Sequence, residues 1–167
     1  MAREEQTEKT PEEMRERAWE LAESIRVCMF NTWDGNELHS RPMDAKVDKD
    51  AGAVFFLTDV DSYKVDELEE LPAATLAFAN ASSYKFVTMT GTATVTNDRA
   101  KIRDIWTESS KAWWDGEDDP SIRLVTFVPD DAEIWDSPNF IVSGVKMLTA
   151  ALTGAKVKLG DHAKVRI

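Results

Sequence analysis

Apolar positions along this chain switch between a helical spacing and an extended one, and the switches fall at turn residues. Thr10-Pro11-Glu12-Glu13 combines an N-cap, a proline suited to the first helical position and an acid at the third. Met14, Ala18, Leu21, Ala22 and Ile25 follow as one stripe, which predicts an amphipathic helix packed on a core. Residues 1–9 before it read as a mobile arm. From Arg26 to Thr32 the spacing becomes that of a strand, with Val27, Met29 and Asn31 on one face, and Asp34-Gly35-Asn36 is a hairpin turn signal. Leu38 to Val47 is a polar strand whose Pro42 cannot donate to a ladder, so part of it belongs at an edge or bulge. Ala53 to Thr58 is apolar on both faces, and after it Val65, Leu68 and Leu71 recur at helical spacing, giving a helix that starts near Ser62 and ends before Pro72.

Ala74 to Asn80 is the next strand. In the one after it, Thr88, Thr90, Thr92, Thr94 and Thr96 alternate with Met89, Gly91, Ala93 and Val95, and the central Gly91 predicts a sharp bend. Asn97-Asp98 caps a helix carrying Ile102, Ile105 and Trp106, and Lys111 to Pro120 is an aromatic pair leading into an acidic loop. Ile122 to Val128 is a strand, Pro129-Asp130-Asp131 a turn, and Ala132 to Trp135 a last core strand. Phe140, Val145, Leu148 and Leu152 suggest a C-terminal helix stopped at Gly154. Closely spaced strands with helices inserted between them indicate a mainly β fold, an antiparallel barrel with peripheral helices. The expected organisation is one domain over residues 10–137, with the C-terminal helix and tail, 138–167, packed on it.

Composition narrows the function. At 167 residues with six Trp and seven Phe the chain can bury a sizeable core, and its net charge of −11 repels nucleic acid and anionic membrane surfaces at long range. Cys28 is the only cysteine, so an intrachain disulfide and a thiolate metal cluster are both excluded. The N-terminal residues are polar where a secretory signal needs an apolar core, and Phe140 to Leu152 is too short to span a bilayer, so a cytoplasmic protein is expected.

Candidate chemistry concentrates at one strand-to-helix corner, Phe55-Phe56-Leu57-Thr58-Asp59-Val60-Asp61-Ser62-Tyr63-Lys64. A helix N-terminus offers free N–H groups and the positive end of its dipole, and here a hydroxyl and an ammonium stand beside it, so phosphate is the natural guest. A capped surface helix after a buried strand is the simpler reading of these residues taken alone. Other sites find no support. The chain has no glycine-rich phosphate loop and no dinucleotide fingerprint; His39 and His162 are too far apart to suggest zinc; Cys28 sits in an apolar strand; Asp118-Asp119 reads as a solvated loop.

Taken in order, Arg41-Pro42-Met43, Phe56-Leu57-Thr58 with Ser62 and Lys64, the Gly91 strand, Trp113-Trp114 with Asp119-Pro120, and Glu133-Ile134-Trp135-Asp136 resemble the flavin-binding split-barrel group related to pyridoxamine 5′-phosphate oxidase. Within it the chain is most similar to the general stress proteins. The resemblance implies a six-stranded antiparallel split barrel of the FMN-binding type that forms a homodimer, with FMN held at the subunit interface. It implies that Leu57, Thr58, Ser62 and Lys64 form the phosphate clasp and that Arg41 and Lys46, five residues apart, line the flavin. Arg41 offers a fork to a phosphate oxygen where Lys46 offers a point charge. Pro42 and Met43 would touch the ring system, Trp113 would wall the cofactor, and Trp135 would reach toward the partner's flavin.

The departures are informative. Tyr63 replaces a second basic residue beside the phosphate, Phe86 stands where the oxidases use a Gln, and Asp136-Ser137-Pro138-Asn139 lacks their Arg-x-His element. The expectation is therefore an FMN-binding stress protein, a flavin-dependent oxidoreductase with a nicotinamide or other small-molecule redox partner rather than a vitamin-pathway oxidase. A non-enzymatic flavin-binding or sequestering protein is the alternative, and haem, a deazaflavin and an empty interaction scaffold stay open as different guests of the same barrel. No catalytic acid or base is assigned.

Overall fold

The computed structural model describes residues 10–136 and 161–167. The predicted arm at 1–9 and the predicted helix at 140–152 lie outside the described residues. Helix α1 (Pro11–Ile25) starts as expected: the Thr10 hydroxyl accepts from the Glu13 N–H while the Glu13 carboxylate accepts from the Thr10 N–H, a complete capping box. It buries Met14, Ala18, Trp19, Leu21 and Ala22.

Seven strands follow within residues 10–136: β1 (Val27–Trp33), β2 (Leu38–Asp44), β3 (Lys46–Asp48), β4 (Ala53–Asp59), β5 (Ala73–Asn80), β6 (Lys85–Thr96) and β7 (Ile122–Asp136). Helix α2 (Tyr63–Glu70) links β4 to β5, and α3 (Arg99–Ile105) with a short 3₁₀ turn (Glu108–Ala112) links β6 to β7. All pairs are antiparallel, in the order β2-β1-β5-β6-β7-β4-β3. The two ends of that order, β2 and β3, are consecutive in the chain and separated only by Ala45. One bent run therefore starts at one edge of the curled sheet and finishes at the other, which closes the barrel and leaves its split between them. Counting β2–β3 as one bent strand gives six strands over β1 to β7, as expected, and Pro42 lies on an edge strand as its missing N–H requires.

β1 buries Cys28, Phe30 and Thr32, while Val27 and Met29 share the opposite, exposed face. β4 lacks alternation because it separates two cores. Val54 and Phe56 point into the barrel, where Phe56 meets Phe30 edge to face at 5.1 Å between centroids. Ala53 and Phe55 point outward into a second cluster with Ile102, Ile122 and Leu124 beneath α3.

Two expectations need correction. Pro129-Asp130-Asp131 is not a turn: β7 runs unbroken, and the register against β6 shifts between Thr90 and Gly91, making a bulge. Gly91 permits it, since a Cβ there would stand 2.1 Å from the Val128 carbonyl oxygen and 2.7 Å from the Pro129 Cα. The proline is tolerated because it falls between the stretch of β7 that pairs with β4 and the stretch that pairs with the last strand. That last strand, β8 (Asp161–Arg166), was not anticipated; it adds to β7 and buries Val165 in the barrel core. Among the described residues no helix is long and apolar enough to cross a membrane.

Candidate functional site

A cavity of about 510 Å³ opens at the split of the barrel, within the ~300–1,000 Å³ range of small-molecule sites. Each contributing element arrives for a reason already visible in the fold. The end of edge strand β2 brings Arg41, Pro42, Met43 and Asp44; β3 brings Lys46; the end of β4 brings Leu57, Thr58 and Asp59; the start of α2 brings Ser62 and Lys64. Ser109, Ser110, Trp113 and Trp114 close it from the loop after α3. Three cations face two carboxylates here, a local excess of positive charge in a protein of net charge −11.

Lys64 dominates the chemistry. Its side chain reaches back across the corner to donate to the Thr58 hydroxyl at 2.6 Å and the Ser62 hydroxyl at 2.7 Å, and only 9% of the residue is exposed. Among the described residues no carboxylate forms an ion pair with this ammonium. Burial, and next the Arg41 charge, push its pKa from 10.5 down to about 8, with Glu67 and Asp59 partly opposing. Ser62 occupies the N-cap position as predicted, yet its hydroxyl makes no cap bond and turns to Lys64 instead. A buried cation whose direct partners among the described residues are two hydroxyls is an incomplete arrangement that an anion completes.

The other two cations are already engaged. One terminal nitrogen of Arg41 donates to the Thr32 hydroxyl at 2.8 Å and the other to the Glu67 carboxylate at 3.0 Å, so the fork expected for phosphate is held from behind. Lys46 donates to Asp44 at 2.9 Å, and Arg26 grips the same carboxylate through two nitrogens at 2.6 and 2.9 Å. Burial alone would raise the Asp44 pKa, but the hydrogen bonds from Arg26 and Lys46 outweigh it and hold the group below the usual carboxylate value.

The aromatic wall is divided. Trp114 packs on Trp106 in the second core, with ring centroids 6.4 Å apart, whereas Trp113 lines the cavity at 80% exposure. Trp135 lies outside the cavity, on the outer face of β7, stacked on His162 at 4.9 Å. Tyr63 does not enter the cavity either; it is 84% exposed and borders a neighbouring cavity. Phe86 stands opposite Trp135 in the β6–β7 register. Cys28 is a core residue, its thiol pushed up to about 12 by burial.

Nine of the ten residues expected from the sequence are thus brought together, all but Trp135. Asp44, Asp59, Ser109, Ser110 and Trp114 join them without having been anticipated, as does Glu67 behind Arg41. Glu67 was legible in principle, since it stands three residues after Lys64 on the same helix face. The serines carried no signal, because a short 3₁₀ turn has no period to read.

The family model described as "Pyridoxamine 5'-phosphate oxidase like" matches residues 13–158. General stress protein 26 of Bacillus subtilis is 22% identical over 130 residues, covering 75% of this chain and 91% of that protein. Among solved structures, a general stress protein 26 from Jannaschia superposes with a TM-score of 0.76 at 23% identity, covering 95% of this chain and all of that one. A general stress FMN/FAD binding protein from Xanthomonas citri does so with a TM-score of 0.67 at 27% identity, covering 89% and 99%.

Proposed function

Because this chain belongs to the pyridoxamine 5′-phosphate oxidase-like family, we propose that the cavity at its split binds FMN, and that the protein is a flavin-dependent oxidoreductase of general stress type. The observation that carries this reading is the buried Lys64 ammonium, held by two hydroxyls and no carboxylate among the described residues. Lys64, Thr58 and Ser62 would receive the phosphate beside the first turn of α2. Pro42, Met43, Leu57 and Trp113 would flank the ring system, and Arg41 and Lys46 would address its polar edge. The name of the Xanthomonas protein, FMN/FAD binding, supports a flavin as the guest. Bound flavin supplies electron or hydride transfer. The side chains of the cavity would bind and orient it.

In this reading the substrate is not pyridoxamine phosphate, since the residues after Trp135 lack the Arg-x-His element. A nicotinamide or another small molecule is the redox partner, and the single cysteine suits a reducing cytoplasm. A second copy of the chain would cover the outer barrel face, where Val27, Met29, Trp33 and Leu38 are exposed and Trp135 lies. Trp135 would then approach the partner's flavin.

The visible spectrum of the protein as purified tests the guest. A flavin band whose released chromophore is FMN is expected, or a colourless protein whose thermal midpoint rises on adding FMN. A haem spectrum, or a protein that FMN does not stabilise, contradicts the reading.

A further inference from the structure

We propose that Glu67 is a positioning residue for the cavity, clasping Arg41 against Thr32 and offsetting the guanidinium charge beside Lys64. The proposal rests on the FMN reading and adds a residue that lies outside the cavity itself. Its basis is a buried junction of three elements. Thr32 of β1 is 1% exposed, and its hydroxyl donates to the Glu67 Oε2 while accepting from Arg41 at 2.8 Å. Arg41 of β2 donates to the same Oε2 at 3.0 Å, with the Glu67 side chain only 9% exposed. Arg41 lines both the cavity at the split and a second cavity of about 450 Å³ bordered by Tyr63 and Glu67.

The charge arrangement explains what this clasp does. Lys64 faces Arg41 from β2, which repels it, and Glu67 from its own helix and Asp59 from the end of β4, which attract it. Lys46 and Asp44 line the same cavity but are bound to each other, and His39 of β2 stands 3.8 Å from the other oxygen of Glu67 while paired with Asp34 at 2.9 Å. The Arg41 charge disfavours the charged form of Lys64, and Glu67 is the carboxylate that bonds Arg41 and also favours the Lys64 charge. Without its charge, Lys64 would surrender its proton at lower pH, and the phosphate would lose its partner at lower pH too.

Titration calorimetry with FMN and riboflavin on wild type, Glu67→Gln and Arg41→Met, at a series of pH values from neutral to alkaline, tests the proposal. The readout is the midpoint at which the preference for FMN over riboflavin decays. In wild type it should follow Lys64, near pH 8. Glu67→Gln keeps the shape and the hydrogen bond but removes the charge, and should move the midpoint to lower pH, with a several-fold smaller preference at pH 8. Arg41→Met should move it to higher pH by removing the charge that Glu67 offsets, and Glu67→Met, uncharged and of similar length, carries the test with the same expected fall should Glu67→Gln not fold. Midpoints unchanged in the variants overturn the positioning role, including the case where both flavins weaken equally, as lost packing would cause. A wild type with no preference for FMN overturns the phosphate assignment instead.

Discussion

The sealed side of the barrel and its split side are built on opposite principles. Along the β5–β6–β7 seam, Leu76, Phe78, Val87, Met89 and Ile134 are wholly buried, the ladder is continuous, and the one irregularity is a bulge seated on a glycine. At the split, β2 and β3 are edge strands among the described residues, and Arg41, Lys46, Lys64, Asp44 and Asp59 line the cavity there. The seam makes the fold stable. The split keeps a desolvated ammonium without an ion partner among the described residues, an arrangement that costs stability and is retained where a ligand supplies the missing charge. Substitutions on the two sides should therefore separate stability from binding.

The largest effect belongs to the apolar interior that the seam encloses. Phe56→Ala removes a fully buried ring in edge contact with Phe30 and should cost about 3–5 kcal/mol in urea unfolding. Gly91→Ala should cost about 3 kcal/mol or more, because the new methyl meets backbone of Val128 and Pro129 rather than a side chain that can rotate away. For both, the ratio of FMN to riboflavin affinity in the folded fraction should stay at the wild-type value; a changed ratio breaks the separation.

On the split side, Lys64→Ala should weaken FMN about ten- to hundredfold, the worth of a charge-assisted hydrogen bond of ~1.5–3 kcal/mol, and riboflavin hardly at all. The ligand-free variant should be no less stable than wild type, since a buried charge is removed. A pH profile sharpens the same point without mutation. Lys64 has a folded pKa of about 8 against 10.5 for the free side chain, so between those values the unfolded chain binds more protons. The contribution of this group to ligand-free stability therefore rises with pH across that window. FMN affinity should fall as pH rises through about 8, because the phosphate needs the charged form. Differential scanning calorimetry with and without FMN from neutral to alkaline pH measures both trends, and parallel curves would sink the assignment. The smallest effect is expected from Trp113→Ala. At 80% exposure it should leave stability within about 0.5 kcal/mol of wild type, while flavin affinity drops by the ~0.5–1.5 kcal/mol of an aromatic contact.

What the chain discloses before folding follows the same division. The seam was readable because its periods are unambiguous: the threonines of β6 alternate, Gly91 marks the bend, and the stripe of α1 is complete. Pro129-Asp130-Asp131 misled because local turn chemistry outvoted a continuous strand, and only the pairing with β6 shows that a bulge accommodates it. β8 was hidden because its alternation, with Val165 inward between exposed Lys164 and Arg166, is short and polar and acquires meaning only beside β7. At the split, Thr58, Ser62 and Lys64 were legible as a corner that attracts anions, and their gathering with Arg41 and Lys46 came from the order of motifs. The placing of Glu67 on the helix face of Lys64 was legible, but its bond to Arg41 and that of Arg41 to Thr32 were not, since they join β1, β2 and α2 across distances in sequence that no period spans.

The central claim is that Lys64 waits for a phosphate. Parallel calorimetric titrations of the cofactor-free protein with FMN and with riboflavin at neutral pH test it most directly. FMN should bind at least tenfold more tightly than riboflavin, and that advantage should vanish in Lys64→Ala. Equal affinity for the two flavins, or an FMN advantage that survives the loss of Lys64, would contradict it.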